Sequence, residues 1–333
     1  MFEVRYIIFL DLGTKRSNMK NLIKNPYFIG YSTLYIITLL TMKLIEHFPI
    51  SESIAVMLIF GVFFSLTAYI TSKSSVVLFE NKPEQKREVF LVSAILIYIT
   101  LFLTYGGDLI KQVTPQKFLE NMRAQEMITI SKKLLFFVLI PFIAYKYIYK
   151  FNLRDFGLIV KAKELFTLRN TIILFTMASL ILLFQFFVGN GAKPIREGLI
   201  TNRQLLFGLP LLFIWLIFEV GLVEEFFFRA LIQSRLTEIT KSEIGGIILS
   251  GLFFGLAHAP GFYLRGGGTL DNLGLHPSLF ISIGYSILVL SVLGFFLSII
   301  WSKTKNLWIV MAIHAFGDLL PNLADFLKTW GIN

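Results

Sequence analysis

The amino-acid sequence predicts an all-α, polytopic transmembrane helix bundle of about eight or nine spans. Three observations carry that prediction. The 333 residues are 55% hydrophobic and only 16% charged, with a mean hydropathy of +0.71, whereas a soluble domain is about one quarter charged. Apolar runs recur that are long enough to cross a hydrocarbon core of ~30 Å as helices. Lys and Arg concentrate on alternate connections between those runs.

The runs fall near residues 27–45, 54–72, 89–107, 134–149, 171–188, 205–234, 244–263, 279–301 and 306–327. The run around 134–149 is short and is expected to tilt or to be partly re-entrant. The run from 205 is long, and a break is expected near Gly208-Leu209-Pro210, because proline removes a helix hydrogen bond. With the N-terminus inside, the inside segments hold nineteen Lys and Arg and the outside segments ten. That bias orients the N-terminus to the cytoplasm and, after nine spans, the C-terminus to the outside. Segment 108–133 departs from the bias. Its Lys111, Lys117, Arg123, Lys132 and Lys133 alternate with Phe118, Leu119, Met122, Met127 and Ile130, the pattern of an interfacial helix. At the start, the apolar residues 6–10 are followed at once by Asp11 and by Lys15, Arg16, Lys20 and Lys24. This reads as a cytoplasmic flank of the first span rather than a cleavable signal.

The net charge of +10 fits loops anchored on anionic lipid rather than a nucleic-acid partner. Cysteine is absent, which excludes a disulfide framework, a thiolate metal site and a cysteine nucleophile. Two portions differ in character. Residues 1–200 hold simple apolar spans and basic loops. Residues 205–327 hold spans that carry Glu, Arg, His and Asp. Ionised groups inside a bilayer cost about 2.5–3.5 kcal/mol each on insertion scales, so they mark functional sites. The chemistry is expected there.

Three motifs sit on three of these late spans. In the first, Glu224-Glu225-x-x-x-Arg229, residues four apart stack on one helix face. Arg229 therefore lies over Glu225 and neutralises it, while Glu224 points about 100° away with no partner of its own. Glu219 is a further carboxylate in the same run, without a local partner. The second motif is Phe254-x-x-x-His258, beside a ladder of Gly251, Gly255 and Ala259 that permits close helix approach. The third is His314-x-x-x-Asp318, with both side chains on one face. Of the four histidines, His258 and His314 fall in late spans, and His47 and His276 fall in loops. At ~1.5 Å per residue, Glu224, His258, His314 and Asp318 lie roughly 18, 24, 13 and 19 Å from the inner ends of their helices, close enough in depth to share one site. A Glu and two His can activate water, and the same four residues could hold Zn²⁺ with water in an open position. No His-Glu-x-x-His, Gly-x-Ser-Gly or Gly-x-Gly-Asp motif is present.

In this order and on these helices, the three motifs resemble the CAAX protease and bacteriocin-processing family (CPBP, or Abi), which includes the type II CAAX prenyl endopeptidases. The resemblance covers about residues 205–322. It implies an all-helical intramembrane peptidase in which Glu224 activates water together with His258. His314 and Asp318 would stabilise the oxyanion or help bind a metal, possible ligands being His258, His314, Asp318 and Glu224, with Zn²⁺ the expected ion. Glu225, Arg229 and Phe254 would be supporting. The family often has Asn at the last position. Asp318 departs from that pattern, since an ionised Asp only accepts hydrogen bonds. It must then be protonated, orient His314 or bind the metal. The expected substrate is a hydrophobic, lipidated or membrane-anchored peptide, met in a bacterial plasma membrane. Gly266-Gly267-Gly268, after the helix of His258, reads first as a plain flexible loop, with a mobile lid as the functional alternative. Two other readings compete. One is a non-enzymatic scaffold or bacteriocin immunity protein with a structural polar cluster. The other is a proton-coupled transporter, which the lack of paired repeats disfavours.

Overall fold

The structure is a computed structural model that describes residues 22–71, 85–158, 165–266 and 273–332. Among these residues, eight helices are long and apolar enough to cross a membrane, and a ninth crossing is counted if one bent pair acts as a single span. They are α1 (Pro26–Leu44), α2 (Ser51–Thr71), α3 (Lys86–Val113), α4 (Met122–Tyr149), α5 (Leu168–Phe187), α6 (Asn202–Thr240), α7 (Glu243–Arg265) and α8 (Leu279–Thr304). The bent pair is α9 (Leu307–Leu319) and α10 (Leu323–Trp330), 85° apart. The basic residues Lys15, Arg16 and Lys20 and the glycines Gly267 and Gly268 lie outside the described residues.

Side-chain caps start most of these helices. Asn25 accepts from the N–H groups of Tyr27 and Phe28 ahead of α1, Ser242 caps α7, and Asn306 caps α9. Thr201 and Gln204 form a reciprocal capping box on α6. Each arrangement satisfies N–H groups that have no partner within the helix.

Helix α8 is the core of the bundle. In its most apolar stretch 72% is buried, against 17–33% for the other spans. Glycines bring α7 onto it. A Cβ on Gly294 of α8 would stand 2.8 Å from the Cα of Gly251, and one on Gly255 would stand 3.0 Å from the Cα of Ser291. The small-residue ladder on α7 thus faces α8, and Ala259 is buried as well. Gly221 does the same for α6, where a Cβ would meet the Met311 carbonyl of α9 at 2.9 Å. Polar contacts tie α1, α3 and α4 to this group. Tyr31 of α1 bonds Ser291 at 2.8 Å. Glu88 of α3 pairs with Arg235 of α6 at 2.9 Å, both buried. Lys133 of α4 pairs with Glu219 of α6.

Four expectations change. The span expected at 134–149 begins at Met122, so Lys132 and Lys133 lie within one helix of 28 residues rather than in a separate interfacial helix ahead of it. The Lys133–Glu219 pair is what makes that tolerable, because a paired charge avoids most of the cost of burial. Glu219, without a partner in its own helix, finds one on α4. Helix α6 runs through Gly208-Leu209-Pro210 unbroken; the ring of Pro210 costs one hydrogen bond, which membrane helices accommodate. The last span, expected as one rod over 306–327, turns sharply at Leu320-Pro321-Asn322; Leu320 is still helical, and the helix stops at Pro321, which has no N–H to continue it and whose ring crowds the preceding turn. His47 and His276 do lie in connections, as expected.

Candidate active site

Helix α6 delivers two carboxylates with opposite surroundings. Glu225 and Arg229 are fully buried and paired at 2.9 Å through Oε2 and Nε. The guanidinium also lies 4.7 Å above the ring of Phe254, and its Nη1 donates to Ser250 Oγ at 3.4 Å. The other oxygen of Glu225 bonds His314 Nδ1 at 2.7 Å. A fixed chain therefore runs from Arg229 through Glu225 to the imidazole of His314. Glu224, one residue earlier, faces the other way, and no hydrogen bond satisfies it among the described residues.

What Glu224 faces are two imidazole nitrogens. Its Oε2 is 3.9 Å from His258 Nε2 and 4.0 Å from His314 Nε2. Both separations are too long for a direct hydrogen bond and leave room for a bridging atom, as a water would provide. His258 is held by its other nitrogen, Nδ1, which lies 2.8 Å from the Phe254 carbonyl. A carbonyl only accepts, so Nδ1 carries a proton, and in the neutral ring Nε2 presents its lone pair on the side of Glu224. The Phe254 ring lies 4.9 Å from that of His258 and 6.0 Å from that of His314. It is in ring contact with both imidazoles and with the guanidinium of Arg229. Asp318 Oδ2 stands 3.7 Å from His314 Nε2.

The four side chains expected from the three motifs are thus brought to one place. They form the polar end of a cavity of about 230 Å³. The rest of the wall is apolar and comes largely from elsewhere in the chain. Phe60 of α2, Ile181 and Phe184 of α5, and Leu293 and Phe296 of α8 line it. Phe60 packs edge-on to Phe184 at 5.5 Å and against Phe296 at 6.0 Å. Gln185 of α5 lines it as well. None of the contributions from α2 and α5 was expected. Gln185 had a visible signal, as an uncharged polar residue in the run Leu182-Leu183-Phe184-Gln185-Phe186-Phe187. Phe60 and Phe184 had none, since 35 phenylalanines in the chain look alike.

The donor types suit zinc: two imidazoles with a free Nε2, each fixed at Nδ1 by an acceptor, and two carboxylates. Their separations of 3.7–4.0 Å are wider than the edge of about 3.4 Å expected for a tetrahedron with ~2.1 Å arms. Among the described residues, no three such side chains converge as a ready-made cage.

Residues 206–320 match a protein family described as type II CAAX prenyl endopeptidase Rce1-like. The matched segment contains Glu224, His258, His314 and Asp318 and stops short of α1–α5. No curated protein and no solved structure matches the chain.

Proposed function

We propose, from the match of residues 206–320 to a family described as type II CAAX prenyl endopeptidase Rce1-like and from the geometry of the site, an intramembrane endopeptidase that cuts peptide bonds of lipidated or otherwise membrane-anchored peptides, with water activated by Glu224 and His258. The observation that carries this reading is the unsatisfied Glu224 carboxylate, set 3.9 and 4.0 Å from two imidazole nitrogens in a cavity among membrane helices. A packing network can leave single polar atoms without a partner, as at Arg229 Nη2, but Glu224 turns its carboxylate to a cavity and to two imidazoles rather than to a helix it packs on. The scaffold reading accounts for Glu225 and Arg229 but not for Glu224.

The geometry supports a simple sequence. A water between the two helices gives one hydrogen bond to Glu224 and one to the Nε2 lone pair of His258, which aims its own lone pair at the substrate carbonyl. As the C–O bond forms, Glu224 takes the proton. The negative charge develops on the carbonyl oxygen. His314, braced at Nδ1 by Glu225, donates from Nε2 to that oxygen in its imidazolium form. When the C–N bond breaks, Glu224 returns the proton to the leaving amine. Asp318 acts on His314, since an ionised carboxylate has no hydrogen to offer the oxyanion. Should the protein carry Zn²⁺, His258, His314 and Asp318 with Glu224 are the residues to hold it, and the ion would supply a Lewis acid for the same water. The apolar wall around Phe60 and Phe184 suits an apolar substituent on the peptide.

The test is turnover by the purified protein in detergent on labelled hydrophobic and prenylated peptides, with zinc measured on the same sample. Cleavage by wild type that Glu224→Ala and His258→Ala both lose, with folding intact, is the expected result. Stoichiometric zinc that leaves with the His258 substitution would assign the metallo form. If wild type cuts no peptide and both variants merely melt earlier, the polar cluster is structural.

The protein is integral to the membrane, and we assign its N-terminus to the cytoplasm from the excess of Lys and Arg on that side. Cysteines introduced into the cysteine-free chain report on this directly. One placed at Ser17 should be shielded from an impermeant thiol reagent in intact cells, and one placed at Asn190 should be labelled. The reverse pattern would invert the topology.

A further inference from the structure

Gln185 stands out among the residues lining the cavity, because half of its amide is committed and half is not. It is 8% exposed. Its Nε2 donates to the backbone carbonyls of Gly317 and Phe316, which fixes the amide orientation, since those carbonyls can only accept. Its Oε1 is left buried with no partner among the described residues. Such an orphan acceptor costs free energy and calls for an explanation in a folded protein.

The neighbouring residue supplies one. Gly317 also lines the cavity, and a Cβ built on it would meet nothing within 4 Å. The other glycines of the bundle core are different: at Gly221, Gly255 and Gly294 a Cβ would run into a packed helix at 3.0 Å or less. Gly317 is therefore not small in order to admit another helix. Open space borders it on the cavity side, one residue before Asp318.

We propose that Gln185 and Gly317 form the subsite for the substrate backbone: Gln185 Oε1 accepts a hydrogen bond from a peptide N–H adjoining the scissile bond, and the substrate main chain passes over the bare face of Gly317. The inference rests on the peptidase reading and adds to it the groups that align the peptide. It also assigns α5, which lies outside the family match, a part in substrate binding. Gripping the carbonyls of residues 316 and 317 with one end of the amide and the peptide with the other, Gln185 would set the substrate against Glu224 and Asp318 at once.

Peptides in which the amides flanking the scissile bond are replaced one at a time by esters lose a single N–H without added bulk. On wild type, one such replacement should lower kcat/KM about tenfold, the size of one hydrogen bond. Gln185→Leu should lose about tenfold on the all-amide peptide and show no further loss with that ester. Gly317→Ala should melt no lower than wild type, as Ala favours a helix over Gly, and should nonetheless raise KM. The same comparison, read as Kd on the Glu224→Gln protein, separates this inference from the reading beneath it. The ester pattern in Kd, together with a wild type that cuts nothing, would overturn the peptidase and leave the subsite standing. Equal responses of wild type and Gln185→Leu to every ester, in kcat/KM and Kd alike, would reduce Gln185 to a brace for α9 and overturn the subsite.

Discussion

Arg229→Leu should destabilise the protein by about 3–5 kcal/mol, the usual cost of removing one member of a buried ion pair, and should lower the unfolding temperature in detergent accordingly. Arg229 and Glu225 are both wholly buried and 2.9 Å apart. Without the guanidinium, the Glu225 carboxylate keeps only His314 and cannot reach water. Arg229→Lys restores the charge but neither the planar fork nor the stacking on Phe254, so it should recover part of the loss. A useful contrast is the Lys193–Glu197 pair, 3.9 Å apart with 61% and 49% of the side chains exposed. Breaking it should change stability by less than about 1 kcal/mol, because water and salt screen it. An Arg229→Leu protein that unfolds together with wild type would mean that the chain from Arg229 to His314 carries no structural weight.

That chain shows how far the sequence could be read. The i,i+4 spacing of Glu225 and Arg229 foretold their pairing, because a helix brings those positions together wherever it sits. The same local logic turned Glu224 away from Arg229 and set His314 and Asp318 on one face. It could not join the helices. The bond from Glu225 to His314 spans 89 residues, and only the packing of α6 on α9 through Gly221 makes it. Lys133 and Glu219 are 86 residues apart, and the sequence alone presents them as a cation of an interfacial helix and a carboxylate with no local partner. A buried charge demands a partner, so the sequence implied that Glu219 had one, but not which. The bend after Leu319 is a case where the local signal, Pro321, was present and the apolar composition of 306–327 outweighed it. Gln185 and the phenylalanine wall were the least legible. Their contribution depends on where α2 and α5 dock, and apolar side chains in a membrane protein look the same whether they meet lipid or line a cavity.

The adjacent glutamates should give opposite signatures when each is replaced by glutamine. Glu224→Gln keeps the size of the side chain and removes its basicity. Peptide cleavage should fall by about 10²–10⁴, the contribution of a positioned general base. The unfolding temperature should change little, since Glu224 makes no hydrogen bond among the described residues and only the two imidazoles, 3.9 and 4.0 Å away, face its charge. Glu225→Gln should do the reverse. It leaves Arg229 buried and charged without a counterion, so stability falls by several kcal/mol, while any residual folded protein retains Glu224 and His258 and loses only the charge that braces His314, so its turnover should fall less than that of Glu224→Gln. Glu224→Asp supplies a graded third point. It preserves the carboxylate and draws it back from His258 and His314, already 3.9 and 4.0 Å away, so its rate should lie between wild type and Glu224→Gln. The reading would not survive a Glu224→Gln protein that unfolds early yet cuts peptide at the wild-type rate. In that case Glu224 would belong to the packing of α6 and the reacting water would have to be held elsewhere. Stability and turnover must therefore be measured on the same preparations. In a site where one glutamate anchors the helix and the next faces the cavity, loss of activity alone does not say which of the two roles has been removed.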